Sequence, residues 1–429
     1  MPFSNRHHHR PLLQRIPIWG LLLAALWWTG CPGSGRKPMQ VDTLADVSRF
    51  THSDIQVVHQ HSDHSLMHFR LYIMEGAART TPSFAGVANL ALETALAGTA
   101  EKDLRGELEA RGARIAHFTT PDYSVITLEC LPDKVEEAWA LFAKALTEPV
   151  FDKTRFESLK AAHLSRLKTG ESQPGILAGR MAREAAFGGT PYGIPPEGTA
   201  GSIEAMELGD VRDYFKLELM RKCKLMLVAV GPVDMEGVTD LLYNTLDMLP
   251  LGDCRQGAPD VEGPEVRRIA AAHRIMPRQY MVGTLPGPPP NSPLALPMEV
   301  LLRILKQRLH QRLVVDEPLT FAPEVRYVPQ RKGYGLIRFS SHQALKCAEL
   351  VLSELRKIRK DGISTEELDE VRKLIRTELE AGYETASGIA ARLGNSALND
   401  GWTLFGQEAY RLPELRTKAL DEVIRKYWT

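Results

Sequence analysis

The sequence lacks the signatures that usually place a chain quickly. Its five cysteines are scattered through 429 residues, with no C-x-x-C and no Cys/His spacing of a zinc module, so it resembles neither a small stapled scaffold nor a zinc finger. Gly-rich phosphate loops of the Walker or dinucleotide type are missing, which removes the common nucleotide folds. Basic and acidic residues balance at 53 each, and no basic stripe interleaved with aromatics stands out, so nucleic acid is not an expected partner. The one long apolar run, Ile16 to Trp28, is too short to cross a hydrocarbon core of about 30 Å.

What is present begins with an export signal over residues 1–31. Arg6, Arg10 and Arg15 form a basic region, the apolar run follows, and Thr29-Gly30 supplies small residues before Cys31. The last step resembles a bacterial lipobox, with Trp28 in the usual place of Leu. It predicts lipidation of Cys31, a membrane anchor, a flexible tether over 32–50 and a lipoprotein of the bacterial cell envelope facing the periplasm. Plain signal-peptidase cleavage and a retained anchor are the alternatives. Four cysteines remain; Cys130 and Cys223 lie at the ends of apparent strands and read as buried free thiols.

Internal repetition sets the architecture. Tyr123-Ser-Val-Ile-Thr-Leu and the helical patterns Asp133 to Leu146 and Phe156 to Leu167 recur as Tyr334-Gly-Leu-Ile-Arg-Phe, Leu345 to Lys360 and Leu368 to Leu379, at an offset of about 211 residues. Ser364 with Glu367 makes a capping box. The Gly, Pro and charged stretch over 251–264 reads as a linker between a first domain, 51–250, and a second, 265–429. The fold class is therefore α+β: two homologous domains, each an antiparallel sheet with helices on one face. In the first copy, the helix Asp210 to Phe215 leads into the strand Lys224 to Val230. The matching helix, Asp421 to Trp428, is followed only by Thr429, so the expectation is either a second sheet that lacks its final strand or a sequence that stops early.

The segment Gly86 to Thr99, GVANLALETALAGT, resembles the active-site helix of the pitrilysin/insulinase family of inverted-motif zinc peptidases, G-[LIV]-A-H-x-x-E-H-x-x-x-x-G-T. Gly86, Val87, Ala88, Gly98 and Thr99 match, but the H-x-x-E-H positions hold Asn89, Leu92 and Glu93. Phe187 to Ile203 resembles the family's P-Y-G-x-P-x-x-G-T-x-x-S-I loop, and Phe151 to Leu167 its third-ligand helix, with Arg166 where the resemblance implies a zinc-binding Glu. Two further positions, an Arg and a Tyr of the second domain that grip substrate in active members, fall on Val314 and Phe321. Neither can donate a hydrogen bond, and Arg312, Tyr327 and Tyr334 nearby would need a shifted register.

Catalytic zinc needs three protein ligands and an open position. Here Asn89 is a poor ligand, and a unit charge such as Arg166 about 4 Å from a divalent ion costs on the order of 8 kcal/mol at an effective dielectric near 20. Leu92 removes the general base. Glu93 is expected to pair with Arg166 instead, since the positions they replace converge on one ion. A histidine cluster, His52, His59, His61, His64 and His68, offers another metal reading. The plainer one is a hairpin from Gln56 to His61 and Leu66 to Ile73 with a wet turn.

The resemblance and its gaps together imply a non-catalytic zinc-peptidase-like subunit with no catalytic residues and no metal. Its partner would be an extended peptide or a homologous active subunit, held against a concave wall of inner sheet faces. The alternatives are an active zinc metalloendopeptidase with an atypical site, carrying zinc, and a scaffold or assembly subunit.

Overall fold

The computed structural model describes residues 41–44, 46–98, 102–253, 263–264, 269–272, 275–398 and 408–428. The export signal with Cys31 and most of the linker lie outside them. The first half runs β1 (Val41–Leu44), β2 (Val47–His52), β3 (Ile55–His61), β4 (Met67–Ile73), α1 (Val87–Ala95), α2 (Leu104–Glu109), β5 (Arg114–Thr119), β6 (Ser124–Cys130), α3 (Val135–Thr147), α4 (Lys153–Ser172), α5 (Pro174–Phe187), α6 (Ala200–Ala205), α7 (Leu208–Tyr214), β7 (Leu225–Gly231) and α8 (Met235–Leu242). The second half follows as β8 (Gln279–Pro286), α9 (Ala295–His310), β9 (Glu324–Val328), β10 (Tyr334–Ser341), α10 (Ala344–Asp361), α11 (Thr365–Tyr383), α12 (Ala386–Ala397), α13 (Glu408–Glu414) and α14 (Thr417–Tyr427).

The repeat is real in three dimensions. β4, α1, β5, β6, α3, α4, α5 and α7 reappear in the same order as β8, α9, β9, β10, α10, α11, α12 and α14. Ser364 and Glu367 form the expected capping box at the start of α11. The first sheet has the order β1-β2-β3-β7-β4-β6-β5 and the second β8-β10-β9. Each half has its own core: the helices α1, α3 and α7 bury one face of the first sheet, and α9, α10, α11 and α14 gather around the second.

Several expectations fail in instructive ways. The hairpin from Gln56 to Ile73 does not form, because β7 inserts between its two strands, parallel to β3 and antiparallel to β4. That one parallel pair makes the first sheet mixed, and alternation of residue types along a strand carries no information about its neighbour's direction. The tether assignment over 32–50 ends too late, since β1 and most of β2 lie within it and join the sheet. Cys223 is disulfide-bonded rather than free, and its partner lies outside the described residues; Cys130 and Cys347 are free and buried.

The second face of the first sheet is not open either. Val58, Tyr72, Val125, Met226, Val228 and Val230 pack against Ile389, Ala390 and Leu393 of α12, a helix of the second half. α5 of the first half reciprocates by packing on β8. This exchange joins residues 40–429 into one compact unit despite its two cores, and it removes the expected concave wall of bare sheet from the first half.

Candidate functional site

The residues at the vacated ligand positions meet because α1 and α4 cross. α1 begins at Gly86, whose φ of +88° is open to glycine at little cost. A Cβ on Gly86 would stand 2.8 Å from the Cα of Gly198, and one on Gly198 would stand 2.7 Å from the Ala85 carbonyl oxygen. Ser202 Oγ donates to that same carbonyl at 2.8 Å. The glycines of the helix motif and of the Pro191 to Thr199 loop thus touch each other, and close backbone packing requires them whether or not a metal is bound.

Leu92 is fully buried in the first core, and Asn89 is half-buried one turn before Glu93. Arg166 Nη2 donates to Glu93 Oε1 at 2.9 Å and to Oε2 at 3.0 Å. The buried His163, one turn before Arg166 on α4, brings its Nδ1 to 3.3 Å from Glu93 Oε2 and 3.1 Å from Arg166 Nη2. Its Nε2 donates to the Glu197 carbonyl oxygen at 2.7 Å, which anchors the ring to the motif loop. Burial pushes the Glu93 carboxyl upward, but the His163 hydrogen bond and the Arg166 charge outweigh it and hold the group below the usual carboxylate range.

A cleft of about 210 Å³ opens beside this cluster, lined by Glu93, Asp103, Arg105, His117, Arg155 and Leu159 among others. Arg155 Nη2 donates to Asp103 Oδ1 at 2.6 Å. His117 lies on β5, the edge strand of the sheet. Burial depresses its imidazole, Glu93 opposes that shift, and Arg105, Arg166 and His163 add to it. The cleft offers charged groups and an exposed strand edge.

The comparisons agree with this frame. The description Insulinase (Peptidase family M16) matches residues 56–200, and Peptidase M16 inactive domain matches residues 206–375. The chain belongs to the M16 peptidase family. A Helicobacter pylori protein described as non-peptidase homolog YmxG is 23% identical over 68% of this chain and 69% of its own length. The uncharacterized zinc protease YmxG of Bacillus subtilis is 19% identical over 83% and 85%. In structure, an M16 inactive domain from Pseudomonas fluorescens superposes with a TM-score of 0.80 at 18% identity, covering 91% of this chain and 95% of that one. The periplasmic protease PqqL of Escherichia coli gives 0.72 at 15% identity over 94% of this chain and 47% of its own.

The zinc of active M16 members does not fit this donor set. Both Glu93 oxygens face Arg166, and the His163 Nε2 is spent on a carbonyl. Among the described residues no group of three His, Cys, Asp or Glu side chains is placed to hold a metal ion. The histidine cluster is dispersed: His59 is buried and bonded to the Val233 carbonyl oxygen at 2.8 Å, while His68 faces Glu129 at 3.5 Å.

The second-domain positions do not join the site. Val314 is half-buried after α9, and Phe321 is exposed with the Arg278 guanidinium 4.6 Å from its ring centre. Of the residues a shifted register might have offered, Arg312 pairs with Glu317 at 3.2 Å and Tyr327 Oη donates to the Pro288 carbonyl at 2.6 Å. Tyr334 meets Phe187 edge to face, with ring centres 5.3 Å apart. His163 and His117 were missed from sequence. The signal for His163 was available, since it sits three residues before Arg166 and so shares its helix face; His117 needed the strand pairing.

Proposed function

We propose that this chain is a non-catalytic M16 subunit that works by binding. It takes an extended peptide, or pairs with a homologous active peptidase, and it uses no zinc. One observation carries the reading: Arg166 is seated on Glu93, so a cation of the protein's own occupies the place that convergence of α1 and α4 prepares for a metal. Leu92, buried in the core, leaves no general base beside it. A peptide would run along the β5 edge past His117 and the cleft, where main-chain pairing supplies affinity without chemistry.

Export and lipid anchoring at Cys31 complete the proposal, placing the protein in the bacterial cell envelope. The basic region, apolar run and small residues before Cys31 support this, as does likeness to a protease described as periplasmic.

The experiment is purification under mild conditions, with mass spectrometry of co-purifying chains, metal analysis and a peptide-cleavage assay. A co-purifying homologue that carries an intact H-x-x-E-H, or saturable peptide binding without cleavage, supports the proposal. One zinc per chain with cleavage by the isolated protein overturns it in favour of an atypical enzyme.

A further inference from the structure

The edge strand β5 presents two different faces. Ile115 is buried in the first core and His117 looks onto the Glu93 cleft, whereas Arg114, Ala116 and Phe118 alternate with them and are exposed. Those three stand opposite Glu129, Thr127 and Val125 of β6, which in turn stand opposite His68, Arg70 and Tyr72 of β4. α12 covers the Tyr72 and Val125 end of this face, but no residue of β5 belongs to the apolar layer it makes. What lies uncovered beside the edge is a basic and aromatic patch.

Arg70 is held in that patch as an empty fork. Its guanidinium carbon lies 5.6 Å from the ring centre of Tyr72 and 5.9 Å from that of Phe118, and its Nε donates to Tyr72 Oη at 3.1 Å. Among the described residues neither Arg70 nor Arg114 makes an ion pair with a carboxylate. Glu129, the acid opposite Arg114 on this face, instead faces His68 at 3.5 Å. Burial pushes the His68 imidazole down to about 4, so the ring is neutral at pH 7. The patch therefore sets two cations against one anion, and a planar guanidinium held against two rings is pre-organised for a carboxylate.

We propose that the extended peptide taken by the β5 edge is acidic, with carboxylate side chains at alternate positions that meet Arg114 and Arg70. The proposal rests on β5 receiving a peptide, and adds which side chains that peptide carries. A strand paired with β5 turns every second side chain to this face. Ala116, in the same row as Arg70, is too small to screen the fork from the edge. A glutamate there lays its methylenes on the Phe118 ring and its carboxylate on the guanidinium.

The test uses the full chain and fluorescein-labelled, threonine- and valine-rich peptides that carry glutamate, glutamine or lysine at two alternate positions, read by fluorescence anisotropy. The glutamate peptide is expected to bind at least about fivefold more tightly than the glutamine one and the lysine one weakest, with the gap narrowing as added salt screens the pairs. Arg114→Glu and Arg70→Gln should each lower the ratio of glutamate to glutamine affinity by about threefold or more, whereas a variant that had merely lost structure would weaken both peptides together. Equal affinity for all three peptides, abolished by N-methylation of alternate amides in one of the two phases, overturns the acidic preference and leaves strand pairing on β5 standing. No saturable binding of any peptide at about 100 µM overturns both. A glutamate preference that neither variant changes also overturns the proposal, because the carboxylates are then met elsewhere.

Discussion

Arg166 Nη2 reaches both carboxylate oxygens of Glu93, at 2.9 and 3.0 Å, while the arginine side chain is 57% exposed to solvent. The pair therefore closes the α1–α4 crossing from the solvent side. The buried member of the cluster is His163, 4% exposed, which holds Glu93 from one nitrogen and the motif loop from the other.

That asymmetry orders the costs of mutation. Arg166→Ala should destabilise by only about 0–1 kcal/mol, as exposed ion pairs do. His163→Ala should cost about 2–3 kcal/mol, because it removes the donor to the Glu197 carbonyl inside the fold and leaves Glu93 with Arg166 alone. Urea unfolding of the two variants tests the ranking, and an Arg166→Ala loss above that of His163→Ala would contradict it.

Metal binding should be absent from the wild-type cluster and recoverable by design. The combined change Asn89→His, Leu92→Glu, Glu93→His and Arg166→Glu rebuilds the family ligand set with its base, and is expected to take up zinc measurable by elemental analysis. Wild-type protein holding close to one zinc per chain, lost in Glu93→Ala but kept when His59 and His61 are changed, would count against the reading.

Acid should weaken the fold through His68. Burial depresses its imidazole to about 4, with the Arg70 charge adding and Glu129 opposing. The folded state thus prefers the neutral ring, whereas the unfolded chain protonates near 6.5, so stability falls as pH drops from about 6.5 to about 4, by roughly 2–3 kcal/mol in all. Glu93 acts in the same sense: its carboxyl is held below the ordinary carboxylate range, so its contribution is fully present above that range and is lost as pH falls through its depressed value. Unfolding of His68→Gln at pH 7 and pH 4.5 should show a shallower acid loss than wild type, and parallel losses would remove His68 as the cause.

Asp122 should prove a joint between the halves. Its Oδ1 accepts from Tyr192 Oη at 2.5 Å and from Arg331 Nε at 2.9 Å, and its Oδ2 accepts from the Arg331 backbone N–H at 3.1 Å. Asp122→Ala strands all three donors, and the expected loss is about 2–4 kcal/mol. Tyr192→Phe and Arg331→Ala should couple by about 0.5 kcal/mol or more in a double-mutant cycle read by denaturant unfolding. Strict additivity would show that the loop and the second half do not share this anchor.

Local pattern was enough to read the family and the repeat. Helical periodicity, the capping box at Ser364 and the glycine frame of Gly86 and Gly198 are consequences of neighbours a few residues apart, or of backbone approach that only glycine allows, so they are written in the order of residues. The Glu93 and Arg166 contact was readable for a related reason, since two replaced positions inherit the convergence of the positions they replace. Pairing direction and element exchange were not readable. β7 enters between β3 and β4 from far along the chain, and the all-apolar face that admits it is the same whichever way it runs. The crossing of α5 and α12 between halves and the anchoring of His163 by the Glu197 carbonyl depend on which surfaces come to lie opposite, and long-range packing alone decides that.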